Sequence, residues 1–599
     1  MPRRRILLCQ PNNLYGRSGF LPYSVGLIRS YAESCDDLKD AYEFAPFVFL
    51  RERPEEVISR TFDPSVVGFS VYIWNAEWSK LMARFAREAW PDCLIIFGGP
   101  QVPADPSEFF HANPSVDLLV RFEGEVAFSE ILRERLRPTP DYTRIAGVTA
   151  RGPENVPIFG PPPERIADLS KLPSPYLSGL FDGLLGHGLD LHAVFETNRG
   201  CVFECTFCQW GSELLAKMRK FDDTRLLAEI AWMGEHRIEL CYSADANWGI
   251  LPRDLDLTDA LITGKARHGF PQQFRAAYSK NANDRIFEIG NRLNKAGMNK
   301  GVTLALQSTD AHTLELIKRK NMDLNRFEEW VRKYDAAGIP TYTEIILGLP
   351  GETYDSFADG LDRILSAGQH HGLHVYLAML LPDSEMADPE YIKAHGIRTV
   401  RGPLLQQHAT PDPTAEEMAE IVIGTKTMPE ADWLRAFLFA WAVQTFHSLG
   451  LTTQAAIAAV QSGSSYRRFY EGLLQFFVER PGWVAGSELL RTTALVTEGM
   501  AGGPWGCTMP GYGPVIWPSE EASFLWMVGD LEKLYAGLMY FTGWMYGENR
   551  RIPVIEGLRL DHLNLLRPSD PPFNGDQERY ARETLWYGRK SMKHRQKAA

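Results

Sequence analysis

Glu196-Thr197-Asn198-Arg199-Gly200-Cys201-Val202-Phe203-Glu204-Cys205-Thr206-Phe207-Cys208-Gln209-Trp210-Gly211 decides how this chain reads. Three of its eight cysteines fall here, spaced Cys-x3-Cys-x2-Cys. Thiolates so close together on a short loop can converge on one soft metal centre. The count is informative, because a structural zinc or an electron-transfer cluster usually takes four protein ligands. A cubane iron-sulfur cluster on three cysteines leaves one iron open to another molecule. A cysteine-rich loop, or a zinc completed by a distant His or Cys, is the alternative.

Upstream, from Arg5 to Phe128, short β-like runs alternate with helical ones. Ile6–Cys9, Ser65–Val71, Cys93–Phe97 and Leu118–Val120 are buried-strand runs, and Trp78, Leu81, Met82 and Phe85 repeat at helical spacing. This alternation predicts an α/β, doubly wound, Rossmann-like parallel sheet over residues 1–150. Ligands on such sheets bind beyond the carboxyl ends of the strands. The unusual residues sit there: Pro11-Asn12-Asn13, Ser70 with Tyr72-Ile73-Trp74-Asn75, Gly98-Gly99-Pro100-Gln101 and Phe122-Glu123-Gly124-Glu125. No Gly-x-Gly-x-x-Gly follows these strands, which argues against a dinucleotide.

Residues 151–185 form a proline-punctuated linker. Downstream, six strand candidates separated by helices predict a partial (β/α)6 barrel over 186–400: Leu191–Glu196, Ile238–Ser243, Phe274–Tyr278, Gly301–Leu306, Pro340–Leu347 and Leu373–Met379. The cysteine loop follows the first strand, and barrel sites form at that end. Polar residues follow later strands: Asp245 and Asn247 the second, Ser279-Lys280-Asn281 the third, and Gln307-Ser308 the fourth. Glu344 lies in the fifth, before Gly348-Leu349-Pro350-Gly351-Glu352-Thr353. Each such residue taken singly also fits a helix cap.

The cysteine spacing is the signature of the radical S-adenosylmethionine (SAM) enzymes. With the preceding sheet domain, the chain resembles the cobalamin-dependent radical SAM family over roughly residues 5–400. Leu21-Pro22-Tyr23-Ser24-Val25-Gly26-Leu27, Gly98-Gly99-Pro100 and Glu123-Gly124-Glu125 look like recurring segments of its cobalamin domain. The resemblance implies a [4Fe-4S] cluster on Cys201, Cys205 and Cys208, with SAM on the open iron. It implies SAM contacts from Asp245, Asn247, Ser279, Gln307 and Glu344. Cobalamin would meet Asn12, Ser70, Tyr72, Trp74, Gly98, Gly99, Pro100, Gln101, Glu123 and Gly124, and Trp210 would wall the cavity between the cofactors. His111 is the only histidine before His187 and lies in no Asp-x-His-x-x-Gly loop. A cobalt without a histidine ligand is therefore expected, with Trp74 nearest its lower face, although core packing accounts for an aromatic there too.

The resemblance extends to C-methylases of carbapenem type and to tryptophan 2-C-methyltransferase. It implies transfer of a methyl from SAM, through methylcobalamin, to a carbon of a small-molecule or carrier-bound natural-product intermediate. A second SAM would supply the 5′-deoxyadenosyl radical that activates that carbon. Polar methylation of an sp2 carbon, ring contraction or cyclisation on the same cofactors, and a non-catalytic iron-sulfur sensor are the other readings. Leu381–Tyr391 resembles the exit segment of the cobalamin-dependent methylases and is expected on the substrate side.

Residues 401–599 read as a mostly helical domain for substrate binding or closure, with helices at Glu416–Met428, Ala431–Leu449, Thr453–Val460, Tyr466–Val478 and Glu520–Met545. Gly502–Pro514, rich in glycine and proline, reads as an irregular lid or interface loop. Basic residues from Arg589 to Lys597 read as a solvated tail. A formal charge of −12 without a basic block argues against nucleic acid. Ala436–Val443 is too short to cross a bilayer. Sparse, scattered cysteines fit a reducing cytoplasm, where the expectation is a monomer served by a flavodoxin- or ferredoxin-type donor.

Overall fold

The apolar runs of the first third pair as their alternation predicts. In a computed structural model that describes residues 3–186, 188–211, 217–370 and 372–586, strands Tyr42–Phe44, Arg4–Asn12, Val66–Ser70, Leu94–Gly98 and Leu118–Val120 are parallel neighbours in that order. Helices cover both faces, which is why the central strands read as continuous apolar runs. Ala76–Ala89 lays fully buried Trp78 and Met82 on one face. Tyr23–Ser34 and Gly124–Arg135 pack on the other. Two antiparallel strands, Val148–Arg151 and Pro157–Phe159, finish the sheet. The last falls in the segment read as linker; Pro157 opens an edge strand, where a missing N–H costs no ladder bond.

The six barrel strands are Asp190–Phe195, Leu240–Ser243, Gln273–Arg275, Val302–Thr303, Thr341–Leu347 and Leu373–Leu377. They pair in parallel as two groups of three. Two more segments flank them. Ser18–Phe20, from the chain's first domain, pairs in parallel with Asp190–Phe195. At the other edge, Met418–Gly424 runs antiparallel to the sixth strand's extension, with the Leu380 amide donating to the Glu420 carbonyl and the Val422 amide to Ala378.

That second segment corrects the helix expected at Glu416–Met428. Its apolar residues suit either period, but Ile421, Val422 and Ile423 are β-branched and the partner strand Arg398–Pro403 is adjacent.

The remaining C-terminal elements are largely helical: Glu430–Ala442 running into a π-helical turn Val443–Ser448, Thr453–Gln461, Tyr466–Val478, Val484–Met500, Ser519–Met527 and Leu531–Asn564. The single helix expected over Glu520–Met545 is interrupted by a turn at Val528–Asp530. Val484–Met500 has no counterpart in the sequence expectation, since Gly486, Thr492, Thr493 and Thr497 dilute its apolar period. Gly502–Pro514 is not wholly irregular. Gly506–Thr508 pairs with Ile516–Pro518, and Trp505, 3% exposed, packs against Trp433 and Phe437. Trp505, Met509 and Tyr512 anchor the segment in the interior, while Pro504, Thr508, Pro510 and Gly511 stay exposed. The tail Arg589–Lys597 lies outside the described residues. No helix among the described residues is long and apolar enough to cross a membrane.

Asp561 joins two of these helices by accepting the Gln454 and Ala455 amides at the start of Thr453–Gln461. Burial pushes its carboxyl up to about 7. The folded value lies above the unfolded one, so this contribution to stability is full at acid pH and is lost as pH rises through about 7. Thermal unfolding is expected to show a midpoint that falls as pH rises from about 4 to about 7, and Asp561→Asn to flatten that slope.

Candidate active site

The cysteine loop leaves the first barrel strand through a turn that the second strand holds. Asp245 accepts the Thr197 and Asn198 amides at 2.8 and 3.2 Å, the Asn198 side-chain amide at 2.9 Å, and the Thr197 hydroxyl. Burial raises its carboxyl to about 7. With both oxygens occupied, Asp245 positions the loop rather than offering a free cofactor contact, which corrects the role the sequence suggested.

Cys201 and Cys205 are buried and Cys208 is half-buried. Asn247 donates to Cys201 Sγ at 3.2 Å, and the Lys280 ammonium to Cys205 Sγ at 2.8 Å. Burial pushes the Cys208 thiol up, and the neighbouring Cys201 and Cys205 add to this while the Trp210 amide and Lys280 oppose it. Among the described residues, no three His, Cys, Asp or Glu side chains are gathered as ligands of a single ion. Three soft thiolates on one loop, with an amide and an ammonium donating to two of them, are a donor set that fits an iron-sulfur cluster. Beside it, Asn247 Oδ1 and Asn281 Oδ1 are buried acceptors without a hydrogen-bond partner. Such atoms await a donor from a ligand.

Across the barrel mouth, Gln307 takes a left-handed φ of 64° and its side chain bonds Glu344. Arg319, 5% exposed, donates to the Ala305 carbonyl and Asn321, and its guanidinium also faces Glu344 and Cys205. The Ser279 amide is tied to the Trp248 carbonyl. Below, Tyr242 and Tyr376 are 41% and 42% exposed, yet burial among protein raises both hydroxyls. Both hydroxyls stand near Glu344, and that of Tyr376 also near Glu520 of the C-terminal domain. In that domain His408 meets Glu521 at 2.6 Å, and burial beside Glu521 raises Glu520 to about 7.

The strand-end residues of the first domain lie along one edge of its sheet. Trp74 is half-buried, stacks on Tyr72 at 4.3 Å between centroids, and donates to Asn12 at 3.3 Å. It is not a core residue. The Ser70 carbonyl accepts the Asn75 amide group, which also holds Pro11. Gly99 has φ 106°, and a Cβ there would sit 2.7 Å from the Val71 carbonyl oxygen, so only glycine passes the neighbouring strand. Pro100 and Gln101 complete that turn.

Glu123 departs from expectation. Its carboxylate accepts Arg219 at 2.7 and 2.9 Å, Arg199 at 3.3 Å and the Ile166 amide at 2.7 Å. Burial works to raise this carboxyl, but the two guanidiniums outweigh it and hold it low. Arg199 also donates to Glu125 at 2.6 Å and Glu196 at 2.9 Å. Glu123 and Glu125, flanking Gly124, thus clamp the first domain to the residue two before Cys201.

Further ties join the same parts. The Gln209 amide donates at 2.7 Å both to the Pro100 carbonyl and to Pro382 of the exit segment, next to Trp210. Arg121 pairs with Asp383 at 2.5 Å. Arg51 holds the Trp74 carbonyl, Asp412 and Glu417, while Glu417 accepts the Glu77 and Trp78 amides at the start of a sheet-domain helix. Sequence reasoning missed Arg199, Gln209, Arg51 and Glu417. Only Arg199 carried a signal, its place between Glu196 and Cys201.

The model of the B12 binding domain matches residues 40–132, and that of the radical SAM superfamily residues 195–364. A cobalamin-dependent radical SAM methyltransferase, TokK of Streptomyces tokunonensis, is 42% identical over 80% of this chain and 70% of its own length. The 2-(S-pantetheinyl)-carbapenam-3-carboxylate methyltransferase of Streptantibioticus cattleyicolor is 38% identical over 95% and 86%. Among solved structures, OxsB with aqua-cobalamin and SAM bound shares the fold with TM-score 0.55, at 13% identity, over 94% of this chain and 84% of that one. TsrM of Kitasatospora setae, with cobalamin and a [4Fe-4S] cluster, gives 0.54 at 15%, over 74% and 89%.

Proposed function

This chain belongs to the cobalamin-dependent radical SAM methyltransferases, and we propose that it methylates a carbon of a small or carrier-bound natural-product intermediate. One observation carries the reading: Gln209, the residue after Cys208, bonds at once to the cobalamin domain's Gly-Gly-Pro turn and to the barrel's exit segment. The cluster loop, the ligand edge of the sheet and the exit segment of the barrel therefore meet at one place, as transfer between near neighbours requires.

Family membership brings a [4Fe-4S] cluster, cobalamin and SAM, which when bound supply the radical and the methyl group. Cys201, Cys205 and Cys208 hold the cluster. Asn247, Asn281, Ser279, Gln307 and Glu344 face the SAM side, the unpartnered acceptor on Asn247 receiving a donor beside Cys201. Asn12, Ser70, Tyr72, Trp74 and the Gly98–Gln101 turn hold the corrin. Trp74, stacked on Tyr72 at this edge, would pack against the bound cofactor rather than ligate its metal. Trp210 walls the space between them. The relative from Streptantibioticus is named for a pantetheinyl-linked substrate, and that likeness supports a pantetheine-type arm on this chain's substrate. A low-potential donor of the flavodoxin or ferredoxin class supplies the electron.

Protein reconstituted without oxygen, given cobalamin, SAM, titanium(III) citrate and a pantetheinylated carbapenam, is expected to yield S-adenosylhomocysteine, 5′-deoxyadenosine and a methylated product by mass spectrometry. S-adenosylhomocysteine with product but without 5′-deoxyadenosine would replace this reading with polar methylation. 5′-Deoxyadenosine alone would replace it with rearrangement or cyclisation.

A further inference from the structure

We propose that Lys280 sets the reduction potential of the cluster on Cys201, Cys205 and Cys208, and so governs how readily a donor reduces it. The inference rests on the functional reading above and goes beyond it to a residue that touches the cluster's ligand rather than its substrate. Lys280 follows the third barrel strand, two strands along the same sheet from the one that carries the cysteine loop. Its ammonium donates to Cys205 Sγ at 2.8 Å and lies 4.4 Å over the Phe203 ring, so two residues of the loop hold it. Asn247 supplies a neutral donor to Cys201.

A cluster on three thiolates is anionic in either state and becomes more negative when it accepts an electron. A fixed positive charge on a ligand sulfur stabilises the more negative state, and does so strongly where protein replaces water. Donation to sulfur works in the same direction. Arg319 is a second cation that hydrogen-bonds Cys205, but its guanidinium also holds the Ala305 carbonyl and Asn321 beside the Gln307 turn, so replacing it would disturb the barrel as well as the charge. Lys280 is the cation whose replacement changes the charge at the sulfur with least disturbance of the barrel. The step itself moves one electron from the reduced donor to the cluster; no bond forms or breaks.

The test is a redox titration of full-length, anaerobically reconstituted protein, with the reduced cluster read by electron paramagnetic resonance. Lys280→Met is expected to lower the ratio of reduced to oxidised cluster at fixed potential by about tenfold, about 59 mV for one electron. Lys280→Gln, which keeps a donor but not the charge, is expected to fall between, and Lys280→Arg to stay within about twofold of the parent. Iron content and the absorption of the oxidised cluster are expected to be unchanged throughout. A Met variant with full iron and a ratio within about twofold of the parent overturns the proposal. So does loss of cluster in both the Met and Arg variants, which would make Lys280 an assembly residue. A parent protein that takes up no cluster would overturn the functional reading beneath it.

Discussion

Alanine at any one of Cys201, Cys205 or Cys208 is expected to remove the iron-sulfur cluster and bring the methylated product and 5′-deoxyadenosine to background. Three thiolates are the whole protein complement expected of such a site, so losing one leaves two irons of the cluster without a protein ligand. The change itself is small for the fold. Deleting one sulfur from the loop costs on the order of 1 kcal/mol, against barrel strands packed on an extensive core. Cobalamin is expected to stay bound in these variants, since its edge of the sheet is built by Asn75, Gly99 and the Trp74 turn without help from the cysteines. Iron analysis, the cobalamin spectrum and mass spectrometry of the methylated product and 5′-deoxyadenosine check these statements separately. Turnover retained by any of the three would refute the assignment.

Arg199→Met is expected to cost about 3–5 kcal/mol, the usual consequence of leaving buried carboxylates without their cation. Glu123, Glu125 and Glu196 all lose a partner, and each is largely buried. Because Glu123 and Glu125 belong to the first domain and Arg199 to the cysteine loop, the loss falls on the join between cobalamin and cluster. Product is therefore expected to fall further than either cofactor's occupancy. Lysine cannot fork to several carboxylates as a guanidinium does, so Arg199→Lys is expected to recover only part. Denaturant unfolding, with iron and cobalamin counted on the folded protein, distinguishes this from simple unfolding. A Met variant as stable and as active as the parent would show that the clamp is not what joins the domains.

The parts of the chain that were legible are those with strong local grammar. The four central sheet strands announce themselves as short apolar runs, and the cysteine spacing announces its loop. Asn12, Tyr72, Trp74 and Gly99 could be placed because ligands on parallel sheets bind at a known end of the strands. What could not be read depends on distant partners. Met418–Gly424 reads as helix until Arg398–Pro403 is beside it. Glu123 sits where a ligand contact belongs, and only the approach of Arg199 and Arg219 turns it into a clamp. Asp245 resembles a cofactor contact, but the Thr197-Asn198 turn consumes its oxygens. Gln209 and Arg51 carry no pattern of their own, because a single side chain's reach across an interface leaves no period in the sequence.

Ser18–Phe20 has a bearing on how this protein is cut, spliced or recombined. A division at the proline-punctuated segment, where composition invites one, would leave the barrel fragment with an open edge along Asp190–Phe195, a template for aggregation. The other fragment would carry a strand with nothing to pair. During synthesis that strand emerges first and waits for its partner, so the barrel is never finished without the amino-terminal residues already in hand. Chimaeras with relatives should exchange the sheet domain downstream of Phe20 and keep the native start of the chain, treating the two folds as interlaced rather than joined end to end.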